Sequence, residues 1–451
     1  VSYRSFVQAK SQLGGHFGFK PTFHHPKAFD FQSSLTEWAV EQGRAALFED
    51  CGLGKSLQEL VWGENVVRHT NMPVLHLSPL AVSMQMVEEA TKFDFDAERV
   101  RDGNPKPGAR IVFANYESLH KFDPSQFGGV VCDESSIIKN FDGSRKGEIT
   151  EFMRLVRYRL LCSATPSPND YIELGTSSEA LGQLGYMDML GQFFKNDEDS
   201  LHPAFVGSKW RFKSHAEQDF WRWVCSWARA MRKPSDMGFD DRDFALPRLI
   251  ETEHVLESPV RDGCLFAMPA SGLQEERDER RLTIAQRCEK AAELLSDAEA
   301  GVGWVHLNAE ADALVDLIPG AEQISGSDKD ERKEELFTAF RHGQLRHLIT
   351  KPKIAAFGLN WQHAHRMTYF ADHSFEQYYQ AVRRMWRFGQ KKEVRVDMIA
   401  TESLAGVTKN LRRKADATEA MFAVMIEQMN DALNLKRFHE HHTIEEMPSW
   451  L

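Results

Sequence analysis

The sequence predicts an α/β fold of two parallel-sheet domains, with a helical insertion between them and a helical C-terminal tail. Three observations predict it. Short apolar runs alternate with helical patterns over the first third of the chain. The same alternation returns after residue 300. The stretch between is rich in Trp, Phe, Met and charge and lacks that alternation. Short apolar runs separated by helices indicate strands buried on both faces, the pattern of a parallel sheet.

The first block, residues 1–180, has strand candidates at 45–48, 74–77, 111–114, 130–132 and 160–162. Residues 181–275 read as an aromatic-rich helical insertion. There Phe220, Trp223, Val224 and Trp227 follow i, i+3, i+4, i+7 spacing, an amphipathic helix. Its aromatic stripe is read as core rather than as a platform for stacking bases. Leu246-Pro247-Arg248-Leu249 marks a break, and a charged helical stretch over 273–298 follows. The second block, residues 276–404, has strand candidates at 302–307, 347–350, 367–370 and 394–399 and no phosphate-binding loop. Residues 405–451 read as a helical tail. Its His439, His441 and His442 are read as solvated rather than metal-ligating.

Composition narrows the function classes. With 42% hydrophobic and 27% charged residues, each domain can bury a core. No apolar run reaches the length of a membrane span, and Val1 to Lys20 lacks an apolar signal core, which argues against membrane insertion and secretion. The six cysteines form no C-x-x-C pair, so a zinc or disulfide framework is not expected and a reducing, cytoplasmic compartment is. A net charge of −11 argues against polyanion binding by the whole surface, though a local basic groove remains compatible with it. Arginines cluster at 154, 157 and 159, near 229–233, and at 383, 384 and 387; each cluster by itself reads as a solvated helix face.

The most informative segment is Glu49-Asp50-Cys51-Gly52-Leu53-Gly54-Lys55-Ser56. A strand candidate leads into it and a helical pattern follows. That context makes it a phosphate-binding loop. Gly52 and Gly54 let the backbone wrap phosphate oxygens, and the helix N-terminus adds N–H groups and its positive dipole end. Lys55 would reach the β- and γ-phosphates of a nucleoside triphosphate, and the Ser56 hydroxyl would ligate Mg²⁺. Glu49 stands where the strict G-x-x-x-x-G-K-[ST] pattern has its first glycine.

Three further segments sit after strand candidates or on a helical pattern. Val130-Val131-Cys132 ends in Asp133-Glu134-Ser135-Ser136. There Asp133 would hold Mg²⁺, usually through water, and Glu134 would orient the attacking water. Ser163-Ala164-Thr165-Pro166 follows the next strand and would link the nucleotide site to a second surface. In the stretch 380–390, a helix would place Gln380, Arg384 and Arg387 on one face, two guanidinium groups suited to a γ-phosphate.

Read in order, FDFQ (29–32), EDCGLGKS (49–56), SPL (78–80), NYESL (115–119), DESS (133–136), SATP (163–166), FGLNWQ (357–362) and QAVRRMWRFGQ (380–390) resemble the superfamily-two helicase-like ATPases, which include the DEAD/DEAH-box helicases. The nearest branch looks like the Swi/Snf-type DNA translocases, and the DESS and FGLNWQ segments look like those of its bacterial and phage members. The resemblance covers roughly residues 29 to 400.

That resemblance implies two RecA-like domains with ATP and Mg²⁺ in the cleft between them, and a motor on nucleic acid with duplex DNA as the preferred track. It implies that Gln32 reads the adenine edge, that Ser163, Thr165, Gly358, Asn360 and Gln380 couple hydrolysis to motion, and that Arg384 and Arg387 complete the ATP site. Ser78, Pro79, Asn115 and Tyr116 fall in segments that touch the nucleic-acid backbone in relatives. Partners in replication, recombination or restriction–modification systems are compatible with it. Two positions depart from the pattern. Ser136 stands where many relatives carry His or Asp, and Glu49 adds a carboxylate that either faces away from the phosphates or weakens ATP binding. Two alternatives stay open: an RNA or single-strand helicase, and a slow ATP-gated binding module. A P-loop kinase would leave the second α/β block unexplained.

Overall fold

In the computed structural model, which describes residues 17–139, 143–196, 210–259, 272–355 and 359–442, a seven-stranded and a six-stranded sheet organise two separate units. The first unit comprises Val1–Ser78, Met86–Asp241 and Thr418–Leu451, and the second comprises Pro79–Gln85 and Arg242–Ala417.

The first sheet uses β1 (Arg44–Glu49), β2 (Val74–Ser78), β3 (Ala97–Arg99), β4 (Ile111–Asn115), β5 (Gly129–Asp133) and β6 (Tyr158–Cys162). A short antiparallel pair, β7 (Phe194–Asn196) with β8 (Trp210–Phe212), stands apart from it. Then β9 (Ala228–Met231) joins its edge, giving the order β3-β4-β2-β5-β6-β1-β9 with every pairing parallel. Strands β2, β5 and β6 are buried at every residue, as expected for central parallel strands with both faces covered.

The second sheet uses β10 (Leu249–Leu256), β11 (Gly301–Trp304), β12 (Glu322–Ile324), β13 (His347–Thr350), β14 (Arg366–Phe370) and β15 (Val394–Thr401), in the order β10-β15-β14-β11-β13-β12, again all parallel. The two-domain α/β expectation therefore holds.

Five helices matter below: α1 (Asp30–Gln42), α2 (Lys55–Thr70), α3 (Ala216–Trp227), α4 (Phe375–Val382) and α5 (Ala405–His442). In α2 every residue from Leu57 to Val67 is buried, so this helix is core on all sides. The aromatic stripe of α3 packs as core: Phe220, Val224 and Trp227 are buried in the first unit's cluster with Trp223 against it. From Thr418 onward α5 belongs to the first unit, where Met421, Phe422 and Met425 join the same cluster. No helix among the described residues is long and apolar enough to cross a membrane.

The segment read as purely helical, 181–275, also carries strands. β9 and β10 extend the edges of the two sheets, and neither has a continuous apolar run to announce it. β10 is half-exposed along its length and alternates Glu251 and Glu253 with Thr252 and His254, which is how an edge strand reads.

The arginine clusters are solvated faces only in part: Arg154 and Arg157 are exposed, whereas Arg159 and Arg229 are drawn inward. Arg159 is buried in β6 and donates to the carbonyls of Val156, Ala180, Leu181 and Arg154. Burial, then Arg44 and Arg154, lower it to about 9. Arg229, in β9, lies 4.2 Å over the Trp38 ring.

Candidate functional site

The carboxyl edge of the first sheet collects the site. β1 ends at Glu49, β2 at Ser78, β4 at Asn115 and β5 at Asp133, and Ser163 follows β6. Ligands of open parallel α/β sheets bind at this edge.

Between β1 and α2 the phosphate loop turns through two left-handed glycines, Gly52 at φ 93° and Gly54 at φ 80°. Gly54 caps α2, and a Cβ on it would lie 2.2 Å from the Gln32 amide nitrogen. The conformation therefore favours glycine, and any side chain here would also displace the Gln32 amide. Lys55 and Ser56 open the helix, where unsatisfied N–H groups and the dipole favour an anion. Gln32 binds this loop to α1: its Nε2 donates to Leu53 O at 2.7 Å, and its Oε1 accepts from Phe29 N at 3.0 Å.

The Lys55 ammonium donates to Glu49 O at 2.7 Å and Asp50 O at 3.2 Å. Burial pulls its pKa down, but Cys51, Glu134, Glu49 and Asp133 outweigh that and hold it above the ordinary lysine value. Asp133 is buried at the end of β5, and its Oδ1 accepts from Glu134 N at 2.8 Å. Burial first, then Glu59 and Glu134, push its carboxyl well above the usual range. Glu134 itself takes a left-handed conformation, φ 52°. A non-glycine residue held there signals local strain imposed by its surroundings.

The site so built is a fixed cation ringed by buried carboxylates. Crowded carboxylates that burial disfavours as anions suit a hard divalent cation, and Mg²⁺ keeps most of its waters and takes few protein ligands. Ser56 and Asp133 are residues of the right chemistry to hold it. Among the described residues no group of three or more His, Cys, Asp or Glu is placed to hold a metal by itself.

The other residues singled out in this unit divide into two kinds. Ser163 and Thr165 are fully buried, with Thr165 N donating to Ser163 Oγ at 3.0 Å and Ser163 N to Leu47 O at 3.2 Å, so the loop after β6 is tied to β1. Tyr116 is 2% exposed, and its hydroxyl donates to Asp133 O at 2.6 Å. Its side chain is core and steadies the Asp133 backbone. Ser78 is also buried and Asn115 is half-buried, each at a strand end, while half-buried Pro79 falls in the second unit.

In the second unit the arginine segment is not one helix. α4 stops at Val382, and Arg383 to Gly389 continue as turns, with Gly389 at φ 89°. What joins Gln380, Arg384 and Arg387 is hydrogen bonding rather than a helical face. Arg384, 1% exposed, donates Nη2 to Gln380 Oε1 at 2.7 Å, Nε to Gln380 O at 2.9 Å and Nη1 to Leu359 O at 3.0 Å. Arg387, half-buried, donates to the same Leu359 carbonyl at 3.3 Å.

Gln390 donates to the carbonyls of Gln362, Ala364 and Met385. The segment 359–362 and the segment 380–390 are thus one knot. Asn360 lies in it, and Gly358 lies outside the described residues. Burial first, then the neighbouring Arg387 and Arg384, lower the Arg383 pKa to about 9.

Sequence reasoning missed Gln58, Glu59 and His76. Glu59 sits one helical turn after Lys55, fully buried, with its Oε2 2.9 Å from His76 Nε2. The signal was present: an acid one turn after Lys55 in a helix whose residues 57–67 are all buried, and one histidine in the apolar run Val74-Leu75-His76-Leu77. Only their meeting across two elements makes them a site.

The fold is similar to that of solved structures. Saccharomyces cerevisiae Dbp5 bound to Gle1 and IP6 has 12% sequence identity and a TM-score of 0.51, over 88% of this chain and 92% of that one. The Sulfolobus solfataricus SWI2/SNF2 ATPase core in complex with dsDNA has 16% identity and a TM-score of 0.43, over 85% and 90%. At such identities the likeness is one of fold, and the Dbp5 structure carries it. No protein-family model matches the chain, and no curated protein matches it.

Proposed function

We propose that this chain is an ATP-hydrolysing motor that works on nucleic acid, with duplex DNA as its track. One observation supports it above the others: the Lys55 ammonium, the N-terminus of α2 and the Asp133–Glu134 pair converge at the carboxyl edge of one parallel sheet. The fold shared with the Dbp5 structure and the ordered motif series point the same way. The preference for duplex DNA rests on the motif resemblance alone.

In this reading Lys55 and the α2 N-terminus bind the phosphates, and Gln32 reads the adenine edge. Mg²⁺, held by Ser56 and Asp133, supplies charge neutralisation of the phosphates when bound. Glu134 orients the attacking water. Arg387 stabilises the transition-state charge, and buried Arg384 positions the Leu359 carbonyl and Arg387 around it. Ser163, Thr165, Asn360 and Gly358 belong to the coupling segments. Phosphate contacts from the segments after β2 and β4 suit a motor, because they carry no sequence information.

The test is the ATPase rate of the full chain with duplex DNA, single-stranded DNA, RNA and no polymer. Stimulation greatest with duplex DNA is expected. Stimulation by RNA or single strands alone would replace the track, and a rate near zero under every condition would refute the motor.

A further inference from the structure

Glu49 occupies the position at which the strict phosphate-loop pattern has glycine, yet its carboxyl does not reach solvent. It is 0% exposed. Its Oε2 accepts from Gln58 Nε2 at 2.7 Å, and its backbone oxygen accepts from Lys55 Nζ at 2.7 Å. Residues 55 and 58 are i, i+3 neighbours on the first turn of α2. One residue at the end of β1 therefore holds that turn at two points, and the loop 50–54 is the span clasped between them. A glycine at 49 would keep the carbonyl contact and lose the other.

A polar side chain is buried at a cost unless it is bonded or has a task. Here Glu49 Oε1, Gln58 Oε1 and Glu59 Oε1 are buried acceptors without a hydrogen-bond partner among the described residues. The clasp thus sits in a pocket of buried acceptor oxygens, where a proton on the Glu49 carboxyl is less costly than a second buried anion. Burial that lifts this carboxyl to about 7 agrees with that.

We propose that Glu49 is a positioning residue whose carboxyl and Gln58 form a buried clasp that preorganises the phosphate loop, and so sets nucleotide affinity rather than the rate of the chemical step. The inference rests on the reading of this loop as an ATP site. Its effect falls on binding because a bound triphosphate itself holds the loop closed, so the clasp matters most before binding.

The experiment measures Mg²⁺-dependent binding of a fluorescent ATP analogue by anisotropy on the full chain, alongside kcat at saturating ATP. Glu49→Gln retains an acceptor for Gln58 and a donor for the stranded oxygens, so its affinity stays within twofold of the parent. Glu49→Ala and Gln58→Leu each weaken binding about tenfold, and the double variant is no weaker than the worse single. In all of them kcat stays within about threefold. Gln58→Leu opens the clasp from the helix side and answers the question even where Glu49→Ala does not fold. Unchanged affinity in Gln58→Leu, multiplicative losses in the double variant, or a Glu49→Gln as weak as Glu49→Ala overturns the clasp while leaving the ATP site standing. A parent protein that binds no nucleotide overturns the ATP reading and the clasp with it.

Discussion

Replacing Glu49 by Gln tests the electrostatics of the phosphate loop through stability. The Glu49 carboxyl is raised from an ordinary 4.5 to about 7, chiefly by burial, against the lowering effects of Lys55 and the Gln58 bond. A folded-state pKa above the unfolded one means that the native protein binds more protons between the two values. The stability contribution is then fully present below pH 4.5 and is lost as the pH rises through 7. The full loss is worth about 3 kcal/mol. Glutamine does not titrate, so Glu49→Gln should equal the parent near pH 4.5 and exceed it by up to about 3 kcal/mol at pH 8. Urea unfolding followed by tryptophan fluorescence from pH 5 to 9 reads this directly, because the difference between the two profiles cancels titrations common to both proteins. A stability difference that does not vary with pH, or a variant less stable than the parent at pH 8, would refute the reasoning.

Three further outcomes are expected. Lys55→Ala should abolish ATP hydrolysis, measured by phosphate release, since in the proposed reading this ammonium meets the phosphates; full turnover would remove this loop from the site. Arg387→Ala should lower kcat by about 10³-fold or more with little change in ATP affinity, and an unchanged rate would show that another group meets the transition state. Nucleic-acid-stimulated turnover should fall steeply between about 50 and 200 mM salt through counterion release, whereas a salt-insensitive rate would argue against a motor that tracks phosphates.

Much of the fold was legible in the chain because its signals are local. The five central strands of the first sheet and four of the second fall on apolar runs, since a parallel strand buried on both faces leaves little room for polar residues. Of the strands not seen, β3, β9, β10 and β12 lie at sheet edges, where one flank is less covered and the sequence is freer, and β7 and β8 form a separate two-stranded pair. The 380–390 segment misled for a related reason. Its spacing fits a helix, but the buried Arg384 side chain is bound to Gln380 and to the Leu359 carbonyl, and those bonds organise turns after Val382. A periodicity cannot register a partner 25 residues away. Tyr116 is the same case: a residue in a motif segment proved to be core, because Asp133 O at the end of β5 offers its hydroxyl a partner.

The sequence by itself determined the phosphate loop, its Gly54-Lys55-Ser56 helix start, the Asp133–Glu134 pair and the two-sheet plan, because each depends on contiguous residues whose backbone preferences and burial are short-range. Tertiary structure alone decided what surrounds them. It brought Glu59 and His76 together from α2 and β2, joined Arg384 and Arg387 at one carbonyl, and turned Glu49, an irregularity in the pattern, into a buried partner of Gln58. Hydrogen bonds and charge interactions act through space at a few ångströms, and only the folded chain sets which distant residues come within that range.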